Sequence, residues 1–133
     1  MNTKILLTVL FILSLASCKK DNFFDKFPPE IMYFQGTKVE NANFTGITLP
    51  ADSTTYLLKA RVSAPFGLKE VKVVAARGNS QDLINTIADF GSSPNETFIY
   101  QQITNIKGNM EIIFTATGTD NRVTTKNFTI TKN

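Results

Sequence analysis

The chain has 133 residues, a formal charge of +3, eleven phenylalanines, one cysteine and neither histidine nor tryptophan. That charge is too small and too evenly scattered to argue for nucleic acid as a partner. Without histidine the usual general base and the commonest neutral metal ligand are missing, and one cysteine cannot build a disulfide framework.

Residues 1–17 have the three parts of a secretory signal. Lys4 is the positive n-region, Ile5 to Leu15 the apolar h-region, and Ala16-Ser17 a small-residue cleavage site. The h-region is about half of the ~20 residues that a spanning helix needs, so it reads as removable rather than as an anchor. Its loss takes Lys4 away and leaves a formal charge of +2. Residues 18–28 read as a tether: charged at Lys19, Lys20, Asp21, Asp25 and Lys26, and closed by Pro28 beside Pro29 in extended geometry. Phe23, Phe24 and Phe27 are unusual in a solvated linker, and packing on the domain explains them better than contact with lipid.

The stretch Leu15-Ala16-Ser17-Cys18 resembles the lipobox of bacterial lipoproteins. The resemblance implies that the Cys18 thiol is joined to diacylglycerol, that cleavage leaves Cys18 first, and that its new amine is acylated as well. One acyl chain binds a membrane only marginally, whereas two or more hold it stably. Lipidation also accounts for an odd cysteine in an exported chain. The charged residues behind Cys18 resemble the surface-export signals of Bacteroidota lipoproteins, although those are richer in Asp and Glu. This implies a lipid-anchored protein of the outer membrane, with either of its faces open.

Residues 29–133 are long enough for one domain with its own core. Ile31 to Phe34 and Phe44 to Leu49 are expected as edge strands. From Tyr56 to Ser63 the residues Tyr56, Leu58, Ala60 and Val62 share one face, with Lys59 and Arg61 on the other. Ala64-Pro65-Phe66-Gly67 turns the chain into Lys69 to Arg77, which Gly78-Asn79-Ser80 breaks. Leu83 to Phe90 reads equally as a strand or a turn of helix. Gly91 to Asn95 is a loop. Thr97 to Ile103 resumes the alternation with Phe98 and Tyr100 in phase, Lys107-Gly108-Asn109 turns into Met110 to Thr117, and Gly118 to Asn121 turns into a last strand from Val123 to Ile130.

About seven short strands with frequent turns, each with one apolar face, predict an all-β, two-sheet antiparallel sandwich. The runs Gly67 to Val73, Gly108 to Thr117 and Asp120-Asn121-Arg122 resemble bacterial Ig-like modules, which recur in Bacteroidota envelope lipoproteins, including those beside glycan-uptake systems. The antibody-type cysteine pair, tryptophan and tyrosine corner are absent, with Met110 near the position of the last.

The chemical inventory points away from catalysis. No serine has an activating partner or a Gly-x-Ser-x-Gly setting, and Asp82, Asp89, Glu96, Glu111 and Asp120 form no ligand series. No catalytic residue, metal ligand or cofactor is therefore assigned. Asn43-Phe44-Thr45, Asn95-Glu96-Thr97 and Asn127-Phe128-Thr129 match the N-glycosylation pattern by chance, and Asp52-Ser53-Thr54 resembles a short O-glycosylation motif of exported Bacteroidota proteins. Two roles remain. One is a scaffolding or interaction role toward an envelope protein, with Ile31 to Phe34 as a recruiting edge. The other is capture of polysaccharide by stacking on exposed rings, for which Phe66, Phe90 and Tyr100 are the candidate contacts, whereas Tyr33 and Tyr56 read as core.

Overall fold

The computed structural model describes residues 27–133; the expected signal, Cys18 and the expected tether up to Lys26 lie outside them. Nine strands are formed there: β1 (Glu30–Gln35), β2 (Val39–Glu40), β3 (Gly46–Leu49), β4 (Tyr56–Ser63), β5 (Leu68–Arg77), β6 (Ser80–Ile87), β7 (Glu96–Ile103), β8 (Met110–Gly118) and β9 (Val123–Lys132). They make a four-stranded sheet ordered β2-β1-β4-β7 and a five-stranded sheet ordered β3-β9-β8-β5-β6. The chain changes sheet on either side of β3, and again from β4 to β5, β6 to β7 and β7 to β8. This order matches the Ig-like plan, with β1, β4 and β7 against β9, β8, β5 and β6. The all-β Ig-like sandwich expected from the alternation is what the chain adopts.

Three expectations need correction. The sheets are not wholly antiparallel, because β3 pairs in parallel with β9, Gly46 opposite Thr129 through Leu49 opposite Lys132. A parallel pair needs a long crossover, and here the whole sandwich between β3 and β9 supplies it. The count rises from about seven to nine, since a short hairpin strand (β2) and β6 are both present. Ile31 to Phe34 is not a bare edge. β4 pairs with Glu30 to Tyr33 on one side, while β2 covers Phe34 and Gln35 on the other.

The open choice over Leu83 to Phe90 falls to strand. β6 runs antiparallel to β5, and Phe90 lies in the loop beyond it, half-buried against the core. Isolated periodicity could not decide because Ile84 is an extra residue in β6, bulged between the partners of Val73 and Val74, and it breaks the alternation of β6 itself.

The core follows from the alternation. Leu58, Ala60 and Val62 of β4 face Val71, Val73, Ile112, Phe114 and Phe128 of the other sheet, all of them buried. Tyr33 sits among them, edge-on to Phe114 at 5.5 Å and to Phe128 at 5.1 Å between ring centroids. Its hydroxyl donates to the Lys126 carbonyl at 2.7 Å, so a fully buried ring keeps its polar atom paired. Burial pushes the Tyr33 phenol well above its ordinary range. Tyr56 also belongs to this packing, half-buried and stacked on Phe128 with ring planes 6° apart.

Candidate functional site

β4 and β7 pair antiparallel in one unbroken register, Tyr56 opposite Ile103 through Ser63 opposite Glu96. Since strand side chains alternate between faces, burying Leu58, Ala60 and Val62 sends Leu57, Lys59, Arg61 and Ser63 to the outer face. Their partners across the pair, Gln102, Tyr100, Phe98 and Glu96, go with them. β7 thus turns both of its aromatic residues, Phe98 and Tyr100, outward, while Tyr33 and Tyr56 of the same sheet face the core. Tyr100 is 60 % exposed, Phe98 49 % and Leu57 40 %.

Two polar devices organise the face. The Lys59 ammonium lies 4.1 Å from the centroid of Phe34, and 5.2 Å from those of Phe98 and Tyr100. A cation at such distances is attracted to the rings, and Phe34 also meets Phe98 edge-on at 6.1 Å. Next along β4, the Arg61 guanidinium collects three carboxylates: Glu40 at 2.6 Å, Glu30 at 3.0 Å and Glu96 at 3.4 Å. It thereby ties β1, β2, β4 and β7 together on one surface. The Arg61 hydrogen bond holds the Glu40 carboxyl below its ordinary value, and the same bond raises the guanidinium further.

The edges of this sheet differ. On the β1 side, the Tyr33 carbonyl accepts from the Asn41 amide at 3.0 Å, and the Ile31 carbonyl accepts from the Lys126 ammonium at 3.1 Å. On the other side β7 has no strand beyond it among the described residues. The Ala64 amide donates to the Asn95 carbonyl at 2.8 Å, which sets the phase of the β4–β7 ladder. Alternate pairs exchange both bonds in an antiparallel ladder, so Thr97, Ile99 and Gln101 bond to β4. Glu96, Phe98, Tyr100 and Gln102 then direct N–H and C=O away from it. One of these is occupied: the Gln101 side-chain amide donates to the Gln102 carbonyl at 3.1 Å and accepts from Asn85 of β6 at 3.1 Å.

The three rings singled out from sequence do not converge. Phe66 is in the β4–β5 turn, 45 % exposed, its carbonyl accepting from the Thr119 hydroxyl at 2.6 Å. Phe90 packs on the core from the loop after β6. Only Tyr100 belongs to the outward aromatic face. Phe98, Leu57, Lys59 and Phe34 complete that face and are not among the sequence candidates. A signal existed in the in-phase Phe98 and Tyr100 and in the polar face of β4 with Lys59. What it lacked was which face of β7 points inward, since Ile99 and Ile103 make the other face apolar too.

A concavity of about 570 Å³ lies where the chain enters β1, lined by Phe27, Pro29, Ile31, Met32, Pro65 and Lys126 among others. No group of three His, Cys, Asp or Glu side chains is placed to hold a metal ion among the described residues.

Fold and face together define an Ig-like β-sandwich with an exposed aromatic sheet surface and an open strand beside it. Solved structures with a similar fold include a superoxide reductase (neelaredoxin) from Ignicoccus hospitalis. A single-substitution variant of that protein shares 10 % identity at a TM-score of 0.52, covering 80 % of each chain. A second structure of it shares 9 % at 0.50, covering 86 % of this chain and 89 % of its own. Likeness at this identity concerns the fold alone. No family model matches the chain, and no curated protein matches it by sequence.

Proposed function

We infer that this is a lipid-anchored protein of the bacterial cell envelope with a non-catalytic interaction or scaffolding role, an accessory subunit held at the outer membrane through Cys18. Its contact surface is the outer face of the four-stranded sheet. The observation that carries this reading is the pair Phe98 and Tyr100, half-exposed side by side on a strand whose far side is unpaired among the described residues. Exposed rings gathered on one face, beside backbone groups with bonds still to make, are what a protein partner covers. Hydrophobic area and a ladder are then buried in the same event.

The test is co-purification from detergent-solubilised envelopes. A stoichiometric protein that accompanies the wild type and Phe66→Ala, but is lost from Phe98→Ala/Tyr100→Ala, is the expected result. Retention of that protein by the double variant overturns the assignment of the face. Intact-mass measurement of native material checks the anchor, which requires a chain beginning at an acylated Cys18.

A second reading is favoured by the exposure of Tyr100 beside Lys59. A polysaccharide, acidic to suit that cation, would stack on the Phe98 and Tyr100 rings rather than on Phe66 or Phe90. Recovery of glycan and no protein in the same purification selects it.

A further inference from the structure

We propose that the occupant of the β7 edge is a second copy of this chain, paired antiparallel about a two-fold axis at Ile99. The inference rests on the interaction role above and names the partner.

The edge is guarded at its ends and open in its middle. At one end stands the carboxylate of Glu96, half-exposed and shared with Arg61; at the other, the Gln102 carbonyl is taken by Gln101. Between them, Phe98 and Tyr100 offer N–H and C=O to a newcomer. These two residues are symmetric about Ile99. In a two-fold pair centred there, Phe98 faces Tyr100 of the second copy and Tyr100 faces its Phe98. Both are pairs that exchange two hydrogen bonds, making a four-bond ladder between the guarded ends.

Charge selects this register. Glu96, the one charged residue of β7, falls opposite the neutral Gln102 of the second copy. A shift that moved the axis to Thr97 would set Glu96 against Phe98, burying a carboxylate beside a ring. Moving it to Gln101 would place Gln102 against Tyr100 and lose a bond to the occupied Gln102 carbonyl. Like charges directly opposite are avoided in the Ile99-centred arrangement, and aromatic cross-strand pairs are gained. The two four-stranded sheets become one continuous sheet, with Phe98 and Tyr100 of both copies in a row and a Lys59 at each flank. On the inner side, Thr97 meets Gln101, polar against polar.

Such an interface is smaller than that of a permanent dimer, and association is therefore concentration-dependent. Confinement of anchored copies to a membrane raises their effective concentration.

Sedimentation of the mature chain in detergent, over a wide range of concentration, tests the proposal. The wild type and Phe66→Ala should move from monomer to dimer as concentration rises. Phe98→Lys and Tyr100→Glu should each stay monomeric, since each puts a charge in the ladder. The double variant Phe98→Lys/Tyr100→Glu should dimerise again, because the two new charges oppose each other across the axis. Thermal unfolding of each variant shows whether it is folded; Phe98 and Tyr100 are half-exposed, so the fold should tolerate the changes. A wild type that remains monomeric throughout overturns the proposal, as does a dimer that survives either single change or a double variant that is folded yet monomeric. A monomeric wild type that still brings down another protein through Phe98 and Tyr100 sinks the second copy while leaving the interaction role standing.

Discussion

The β1 and β7 edges belong to the same sheet and are built to opposite ends. β1 is sealed. A two-residue strand covers Phe34 and Gln35, Asn41 takes the Tyr33 carbonyl, and Lys126 reaches from the other sheet to the Ile31 carbonyl. Below it Tyr33 is clamped by two rings and its own hydrogen bond. β7 has rings outward and a ladder unmade, with guards only at its ends. Natural sandwiches blunt the edges they do not use, and this contrast between a sealed edge and an open one is what the proposed interaction role rests on.

Removing the support of the sealed edge has the largest expected effect. Tyr33→Ala empties a site in the middle of the core, and should lower stability by about 3–5 kcal/mol in denaturant unfolding. A loss under about 1 kcal/mol would mean that β1 is not anchored as described. Lys126→Met keeps the stem and deletes the ammonium on Ile31. This should cost about 1–2 kcal/mol and open a second edge, so that sedimentation shows species larger than a dimer. Absence of larger species would show that β2 alone is enough to close β1.

Strengthening the seal should work through the hairpin turn. Gly36 and Thr37 both have positive φ, 60° and 62°, and the Lys38 amide donates to the Gln35 carbonyl at 3.4 Å. Consecutive turn residues at positive φ favour Asn and Gly, and a β-branched threonine is strained there. Thr37→Asn is therefore expected to raise stability by about 0.5–1 kcal/mol in the same unfolding assay.

The smallest effect is one of pH. Glu40 is held by Arg61 below its ordinary value of 4.5. A depressed folded-state value contributes stability that is present above the unfolded value, and is lost as pH falls through the folded one. The β2 hairpin should therefore loosen below about pH 4.5, seen as faster amide exchange at Asn41, whose N–H bonds to Tyr33. Glu40→Gln should be insensitive in that window.

The sandwich was legible because its causes are local. Turn residues at Ala64 to Gly67, Gly78 to Ser80 and Gly118 to Asn121 cut the chain into lengths, and alternation in Tyr56 to Ser63 and Met110 to Thr117 assigns faces without any knowledge of neighbours. The parallel β3–β9 pair was not legible, since it joins strands at opposite ends of the domain and leaves no local mark. β6 was hidden by its own bulge at Ile84, which interrupts its alternation. Of the face, Tyr100 was found by its ring alone. Lys59 stands on the polar side of its strand and Phe98 keeps phase with Tyr100, but their meeting depends on a register that only pairing decides.

The order of residues alone fixed the alternation, the turns and hence a two-layer all-β domain, because each needs only a residue and its near neighbours. It also placed Cys18 in a pattern that resembles a lipidation signal. Long-range packing chose which strand became the exposed edge and which rings share its surface. Those are properties of how distant strands meet: the same Ile31 to Phe34 segment is an edge in isolation and a sealed strand once Lys126, Asn41 and the β2 hairpin arrive.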